Sequence, residues 1–335
     1  MAKEVTWIRG DGIGPEVTEA AIEIIAATSA SVEFIEAPAG EMAFEKYGTA
    51  LPDELIEAIR RTKLCLKGPL LNPIGGGYRS PNHFLRRRLG LFASIRPNTS
   101  YPGIPSPFKD IDITVLMHNM EGPDSGVDRY LGPDERIVEH IGVMTYEATE
   151  RMLRFAFQYA EERGKPLAIA HFADQMKCYE GSWLRIAHEV GKDFPGVELR
   201  DFLADNLAAQ LVTNPHQFGV ITGHHLWGDV FSGLCAGLVG SGGMATTINC
   251  GDQGIALFET GHGVGADLAG KNAANPTASI VAGKYLLQEL GFSEEASRIN
   301  QALHAVFAEG RKYLTADLGG TASRSEFTKA IIERL

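Results

Sequence analysis

Short, mostly apolar runs alternate with longer amphipathic segments along most of this 335-residue chain. Runs of this kind are typical of strands that are buried on both faces of a parallel sheet. The segments between them repeat apolar residues every three or four positions, which is typical of helices that cover a sheet. The alternation therefore predicts an α/β architecture with a mostly parallel sheet. The expected strands are 5–8, 64–67, 113–117, 167–171 and 220–222, and the expected helices are 15–27, 52–61, 146–162, 180–190, 205–212, 228–238, 275–290 and 293–308.

Composition excludes several classes of protein. The formal net charge of -11 argues against nucleic acid as a main partner, because phosphate binding requires a basic surface. The chain has neither a run of 18 apolar residues nor an apolar segment behind a basic start, so we expect no membrane span and no signal peptide. The four cysteines are widely spaced, which favours reduced thiols over a zinc site. These features predict a cytoplasmic protein.

Positive charge is concentrated in one stretch of the chain. Residues 58–109 contain no Asp or Glu, although the whole chain has 42 of them, and the same stretch holds ten Lys and Arg residues. An acidic protein that keeps a long segment free of acid has placed positive potential where an anion can bind. This stretch is therefore the first candidate for a ligand site.

A helix start lies inside this basic stretch. Gly75–Gly77 permit a flexible or left-handed turn, Ser80 is a good N-cap, and Pro81 suits the first helical position. The first turn of a helix presents free backbone N–H groups, to which anions bind. Asn82 and Arg86 are four residues apart and share a face of that helix. The alternative is a Gly-rich surface loop followed by a basic helix that faces solvent.

A second glycine-rich motif, GDGIGPEV at Gly10–Val17, follows the first strand and opens the first helix. It resembles a dinucleotide-binding fingerprint, but that pattern requires glycine at the position of Val17. Two interpretations remain open, a tight strand-to-helix turn and a direct ligand contact.

Carboxylates and histidines supply further candidates. Asp205 and Asp229 lie at helix starts, where they would suit Mg²⁺ or Mn²⁺ or would simply cap the helices. The glycine-rich segment that contains Asp267 could approach an adenine nucleotide, with the carboxylate accepting hydrogen bonds from ribose hydroxyls. Histidines also fall at the ends of predicted strands, where ligands gather in open α/β sheets, although each taken singly is more often structural. They are His118, His171, His224 and His225.

Taken together, these segments resemble the β-decarboxylating dehydrogenases, the isocitrate and isopropylmalate dehydrogenase family. The resemblance implies two α/β domains, with residues 1–100 and 250–335 forming a large domain and residues 101–249 a small domain that carries a dimer clasp. It also implies an active site in a cleft shared by two subunits, and NAD bound by the segment that starts at His262. The matching blocks, in order, are GDGIGPEV, KGPL (67–70), GGGYRSPNHFLRRRLGLFASIRP (75–97), ADNLAAQLVTNPHQF (204–218), LWGDV (226–230) and HGVGADLAGKNAANPTA (262–278).

The resemblance assigns roles to residues of these blocks. Asp267 and Leu268 occupy positions where NADP-dependent members tend to carry Lys and Tyr, so the resemblance favours NAD. Asp205 would reach the metal across the dimer. The implied substrate-binding residues are Ser80, Asn82, Arg86 and Arg96, the cofactor-binding residues are His262, Gly263, Asp267 and Asn275, and the metal ligands are Asp205 and Asp229.

The departures from the family pattern fall on the residues of the chemistry. A substrate-binding arginine of the family is replaced by Met117, the catalytic tyrosine by Asp124, and the catalytic lysine by Phe172. The asparagine beside the nicotinamide is replaced by Asp174, and one metal-binding carboxylate by Gly233. General acid–base groups contribute about 10²–10⁴-fold each, so isocitrate oxidation should be very slow without the lysine and the tyrosine.

Three hypotheses follow. The first is a divergent, metal-dependent NAD-linked dehydrogenase or decarboxylase of another 2-hydroxy or keto acid, in which Asp124, Asp174 or His118 has taken over proton transfer. The second is an inactive member that binds a carboxylate or a nucleotide in a regulatory or sensor role. The third, weaker hypothesis is a non-redox enzyme such as a lyase. A homodimer is expected under the first hypothesis and a heteromeric partner under the second.

Overall fold

The structure is a computed structural model that describes residues 2–73 and 78–335, without the side chains of residues 123–125. The predicted glycine turn at Gly75–Gly77 and the side chain of the catalytic candidate Asp124 therefore lie outside the described part. No described helix is both long and apolar enough to span a bilayer.

The elements follow one another in an order typical of an α/β protein. The strands are β1 Lys3–Ile8, β2 Val32–Glu36, β3 Leu64–Lys67, β4 Ala93–Thr99, β5 Asp112–His118, β6 Gly122–Leu131, β7 Ile137–Val143, β8 Leu167–His171, β9 Leu199–Leu203, β10 Val220–Gly223, β11 Thr246–Cys250 and β12 Ala256–Thr260. The helices are α1 Gly14–Ala26, α2 Gly40–Tyr47, α3 Asp53–Thr62, α4 Pro81–Leu89, α5 Tyr146–Glu162, α6 Tyr179–Gly191, α7 Ala204–Thr213, α8 His225–Leu238, α9 Thr277–Glu289, α10 Ser293–Ala308 and α11 Arg324–Ile332.

The chain divides into two compact units. Unit 1 comprises Met1–Leu91, Asn98–Asp110 and Ala236–Leu335, and unit 2 comprises Phe92–Pro97 and Ile111–Cys235. The boundaries expected from the sequence fall after residues 100 and 249. Both divisions build one unit from the two ends of the chain and the other from its middle.

Unit 1 contains strands in the order β2-β1-β3-β12-β11. The first four are parallel neighbours, and β11 pairs antiparallel with β12. Helix α1 packs against α9, where Gly283 leaves space for the side chain of Ile25. The apolar residues Val17, Ala20 and Ile24 of α1 are fully buried, so the 3.6-residue spacing of the sequence corresponds to a real core face.

Unit 2 contains strands in the order β4-β5-β10-β8-β9, with parallel pairing of β5, β10, β8 and β9. A separate antiparallel ribbon is formed by β6 and β7. This ribbon exposes large apolar side chains, including Tyr130 at 59% and both Ile137 and Val138 at 61%. The predicted α/β fold class with a mostly parallel sheet is confirmed, and the assignment of the ribbon to a dimer clasp stays a prediction.

Most predicted elements agree with the structure within a few residues, and the helices at 146–162 and 293–308 agree at both ends. The elements that were not predicted are β2, β4, β6, β7, β9, β11, β12, α2 and α11. The strands among them contain polar or charged residues, as in Thr246–Cys250 with sequence TTINC, so they lack the apolar run that marks a buried strand.

Candidate functional site

The helix start predicted in the basic stretch is present in unit 1. Helix α4 begins after Ser80, whose hydroxyl oxygen accepts a hydrogen bond from the backbone N–H of His83 at 3.4 Å, and Pro81 occupies the first turn. Asn82 and Arg86 lie on this helix and are half-buried. Two of their polar atoms, Asn82 Oδ1 and Arg86 Nε, are buried without a hydrogen-bond partner among the described residues. Buried polar atoms are normally satisfied, so unpartnered ones mark a place where a polar ligand fits.

The guanidinium group of Arg86 contacts a buried carboxylate. Its Nη2 atom donates to Glu259 Oε1 at 3.2 Å, and Lys67 forms a second ion pair with the other oxygen of Glu259. Asn249 also donates to Glu259 Oε1 at 2.6 Å. Burial opposes ionisation of Glu259, but the charges of Lys67 and Arg86 prevail and lower the pKa of its carboxyl to about 2. Glu259 is therefore ionised at neutral pH.

The GDGIGPEV motif makes contacts inside unit 1. The carboxylate of Asp11 accepts hydrogen bonds from the backbone N–H groups of Glu41 at 3.0 Å and Leu71 at 2.6 Å. The backbone N–H of Ile13 donates to the carbonyl of Val264 at 2.8 Å. Gly12 has a positive φ of 58° and lies so close to that carbonyl that a Cβ atom would collide with it. The motif thus ties the segments that carry the candidate ligand residues to β1 and α1.

The predicted cofactor segment also lies in unit 1. His262 is partly buried, and burial lowers its pKa below the ordinary value, while its Nδ1 atom contacts the carbonyl of Gly263 at 2.9 Å. Asp267 is exposed, as a ribose-binding carboxylate must be. His262 Nε2 and the hydroxyls of Thr247 and Thr260 are buried and find no hydrogen-bond partner in the described part of the chain. These unsatisfied atoms fit a polar ligand such as a dinucleotide.

Asn275 is committed to contacts within the chain. Its side-chain oxygen accepts from the N–H and hydroxyl groups of Thr277 at 3.0 and 2.6 Å, at the start of α9. Its amide donates to Asp317 Oδ2 at 2.9 Å. The position of Asn275 is therefore fixed, and Asp317 joins the polar groups beside it. Asp317 was not among the residues predicted for the site.

In unit 2, the predicted substrate arginine contacts a predicted metal ligand. Arg96 donates through Nη1 to Asp229 Oδ1 at 2.7 Å and also contacts the hydroxyl of Ser232. The side chain of Arg96 is 10% exposed, whereas that of Asp229 is 61% exposed. The remaining face of Asp229 is accessible to a cation or to solvent.

The predicted metal ligands do not assemble into a full site within one chain. Asp205 is exposed in the first turn of α7 and accepts from the backbone N–H of Asn206 at 2.7 Å. It is not the N-cap residue, which is Leu203, and Asp229 lies inside α8, so helix capping explains neither carboxylate. Among the described residues, no group of three or more His, Cys, Asp or Glu could hold a metal ion. The donor type suits a hard divalent cation, and Mg²⁺ in particular needs only one or two carboxylates beside waters and substrate oxygens.

The two described catalytic candidates have different surroundings. His118 ends β5, is 1% exposed and lies 6.3 Å from the ring of Trp183. Asp174 is exposed and accepts from the side chain of Gln175 at 3.1 Å. Met117 is fully buried and packs so closely on Gly228 that a Cβ atom at residue 228 would collide with it. The proton-transfer roles of His118, Asp124 and Asp174 stay predictions.

A buried carboxylate supports the loop that carries Phe172. Glu180 is fully buried in α6, and its Oε2 atom accepts from the backbone N–H of Phe172 at 3.3 Å. Its Oε1 atom accepts from Trp227 Nε1 at 3.2 Å and lies 2.5 Å from His224 Nε2. From the sequence, His224 was predicted only as a strand-end histidine and Glu180 was missed. The sequence signal that could have identified Glu180 is a charged residue on the apolar face of a predicted helix.

Comparison with known proteins connects both units to one family. The model of the isocitrate/isopropylmalate dehydrogenase family matches residues 4–335. The chain belongs to the isocitrate/isopropylmalate dehydrogenase family. The crystal structure of isocitrate dehydrogenase from Methylococcus capsulatus matches this family member with a TM-score of 0.96 and 39% sequence identity, covering 100% of this chain and 99% of that chain.

Two relatives bear on function. Catalytic subunit 5 of mitochondrial NAD isocitrate dehydrogenase from Arabidopsis thaliana is 39% identical over 331 residues, which cover 98% of this dehydrogenase-family chain and 88% of the relative. A regulatory subunit of mitochondrial NAD isocitrate dehydrogenase from Dictyostelium discoideum is 38% identical over 334 residues, which cover 99% of this chain and 92% of the relative. Similarity at this level therefore includes both catalytic and regulatory members.

Proposed function

We propose that this protein is a divergent NAD-linked dehydrogenase or decarboxylase of a 2-hydroxy carboxylic acid other than isocitrate. The observation that carries the proposal is the combination, within unit 1, of Arg86 on the helix that begins after Ser80 and an accessible Asp267 in the cofactor segment. The catalytic NAD-dependent relative supports the cofactor assignment. The replacement of an arginine by the buried Met117 supports a substrate with one fewer carboxylate.

In this mechanism Arg86, Asn82 and Ser80 bind a substrate carboxylate and fix its orientation, because a guanidinium matches a carboxylate in charge and geometry. One of the candidates Asp124, Asp174 or His118 would accept the hydroxyl proton, and NAD, when bound, would supply the hydride acceptor for the carbon that bears this hydroxyl. Asp229, with Asp205 of a second copy, would hold Mg²⁺ or Mn²⁺. A divalent cation there supplies Lewis-acid stabilisation of the oxygen at which negative charge develops.

A second candidate function is that of a regulatory or sensor protein. The Phe172 side chain, which stands where the family carries a lysine, cannot transfer a proton, and the regulatory relative is nearly as similar as the catalytic one. Under this proposal the exposed apolar ribbon of β6 and β7 is covered by a partner chain of the same family. Under the first proposal, a second copy of this chain covers the ribbon.

Calorimetry and an activity screen distinguish the two proposals. Binding of NAD, NADH and isocitrate is measured with and without Mg²⁺, and a panel of 2-hydroxy acids is then assayed by the absorbance of the reduced cofactor. Reduction of NAD by one member of the panel supports the dehydrogenase. Carboxylate binding without NAD binding, or silence across the panel with binding intact, supports the sensor and contradicts the first proposal.

The substitution Arg86→Met is expected to weaken binding of isocitrate, used as a carboxylate probe, by about 10-fold to 100-fold, the effect of losing a charge-assisted hydrogen bond. Calorimetry measures the dissociation constant. Arg87→Met is the matched control, because Arg87 is exposed on the same helix and its replacement removes the same charge. Equal weakening by the two substitutions would contradict a specific role for Arg86.

The substitution Asp267→Lys is expected to weaken NAD binding by about tenfold or more, because the ribose hydroxyls lose a charged acceptor. The affinity for NADP should fall less, because the lysine side chain attracts the additional phosphate of NADP. Titration of NADH and NADPH by fluorescence measures both constants. Asp252→Lys, an exposed replacement in the turn between β11 and β12, serves as the control. An unchanged ratio of the two constants would rule out Asp267 as a determinant of cofactor choice.

A further inference from the structure

One face of the sheet in unit 1 carries a row of polar side chains at the centre of an otherwise apolar core. In the parallel ladder Lys67 of β3 is paired with Glu259 of β12, and in the antiparallel ladder Glu259 is paired with Thr247 of β11. Paired residues of neighbouring strands point to the same face, and residues two apart along a strand do so as well. Asn249 therefore lies in the same row, in agreement with its hydrogen bond to Glu259.

The row holds Arg86 in one orientation. Glu259 Oε1 accepts from both Arg86 and Asn249, and Glu259 Oε2 forms the ion pair with Lys67. The side chains of Lys67, Glu259 and Arg86 are only 2%, 4% and 12% exposed. Lys67 also donates to the carbonyl of Gly68 at 3.0 Å, so the backbone fixes the position of its ammonium group.

The charges of this triad do not cancel. Lys67 and Arg86 each contribute one positive charge and Glu259 one negative charge, so the buried triad keeps a net charge of +1. A pair of Arg86 and Glu259 alone would be neutral and would have little attraction for an anion. An uncompensated buried charge is unfavourable, and an anion that binds at Arg86 removes this cost. The Nε–H donor of Arg86, which finds no acceptor among the described residues, lies on the helix where such an anion would bind.

We propose that Lys67 and Glu259 are positioning residues of the anion site: Glu259 orients Arg86, and Lys67 neutralises Glu259 so that the charge of Arg86 remains available to a substrate carboxylate. This inference rests on the proposed carboxylate site of the protein but requires no turnover. Lys67 is assigned a positioning role because its side chain is only 2% exposed and its ammonium group contacts Glu259 and the carbonyl of Gly68.

The test is a double-mutant cycle that removes the charges of Lys67 and Glu259, and calorimetry measures the binding of isocitrate to each variant. Lys67→Met makes the triad neutral and is expected to weaken binding by about 10-fold to 100-fold, as loss of a charged interaction does. The double substitution Lys67→Met with Glu259→Gln returns the net charge to +1 and keeps an amide oxygen to accept from Arg86. It is expected to recover most of the lost affinity. Lys63→Met removes the same charge from an exposed position nearby and should change binding less than about twofold, the effect of a screened surface charge.

Rescue separates this proposal from a purely structural role, under which the double variant would bind no better than Lys67→Met. Should Lys67→Met fail to fold by circular dichroism, the double variant decides alone: near-normal affinity supports the proposal, and absent binding overturns it. A wild-type protein that binds neither isocitrate nor inorganic phosphate also overturns it. Rescue of binding without NAD reduction would leave this inference standing and contradict only the dehydrogenase proposal.

Discussion

Restoring a lysine and a tyrosine at the two altered positions is expected to raise isocitrate oxidation by at least about 10⁴-fold over the unmodified protein, because each acid–base group contributes about 10²–10⁴-fold. The variant carries Phe172→Lys together with Asp124→Tyr. The loop before α6 is fixed by the hydrogen bond from the Phe172 backbone to Glu180, so a new side chain at 172 starts from a defined backbone position. Formation of NADH with isocitrate and Mg²⁺ measures the gain.

The matched control for this gain is Phe172→Leu together with Asp124→Phe, which alters the same two positions without adding proton-transfer groups. It should remain as slow as the unmodified protein. Each single restoration should give only part of the effect, since one proton transfer would still lack its group. If the restored variant binds isocitrate and NAD but gains no activity, the account of this protein as altered mainly in its acid–base groups is wrong.

Met117 limits how far restoration can go. Its side chain is fully buried and packs against Gly228 at the start of α8. An arginine at this position would place a charge in an apolar contact unless α8 shifted, and burying an unpaired charge is strongly unfavourable. The third family arginine is therefore left out of the restoration experiment.

Removal of Glu180 is expected to have the largest effect on stability. Glu180→Ala should lower the free energy of unfolding by about 3–5 kcal/mol, because three donors would lose their acceptor at about 1–3 kcal/mol for each one left unsatisfied. The donors are His224, which is buried like Glu180, and the half-buried Trp227 Nε1 and backbone N–H of Phe172. Urea unfolding followed by circular dichroism measures the change.

Glu189→Ala on the same helix is the control for this prediction. Glu189 lies at the surface with its side chain 38% exposed, pairs with Arg185 one turn away and accepts from the Tyr146 hydroxyl, contacts typical of a surface ion pair worth at most about 1 kcal/mol. Glu180→Gln should be milder than Glu180→Ala, because an amide keeps one oxygen acceptor. A loss for Glu180→Ala no larger than that for Glu189→Ala would show that the buried cluster contributes little to folding.

Both predictions depend on residues that the sequence revealed to different degrees. Phe172 and Asp124 stand out because they occupy the positions at which the family carries its catalytic lysine and tyrosine. Glu180 is marked in the sequence only as a charged residue on an apolar helix face, and its partners come from the loop after β8 and from α8, separate segments of unit 2. Only the packing of these segments brings an acceptor and its donors together.

The local structure around the basic stretch shows how much the sequence determined by itself. Ser80 and Pro81 specify the start of α4 through capping and a fixed φ angle, which are properties of neighbouring residues. The apolar spacing of α1 and the runs of β3, β8 and β10 likewise specified helices, strands and the α/β class, because hydrophobic periodicity is local. The family blocks then indicated which side chains belong to the candidate site.

The tertiary structure alone decided which charges meet. Lys67 and Glu259 are distant in the chain and become neighbours only through the pairing of β3 with β12. The pairing of Arg96 with Asp229 likewise needs β4 beside the start of α8. Sheet register and helix packing fix such contacts through long-range burial, and no local pattern of residues encodes them. For this protein the sequence determined the elements and the candidate side chains, and the fold decided how their charges are balanced.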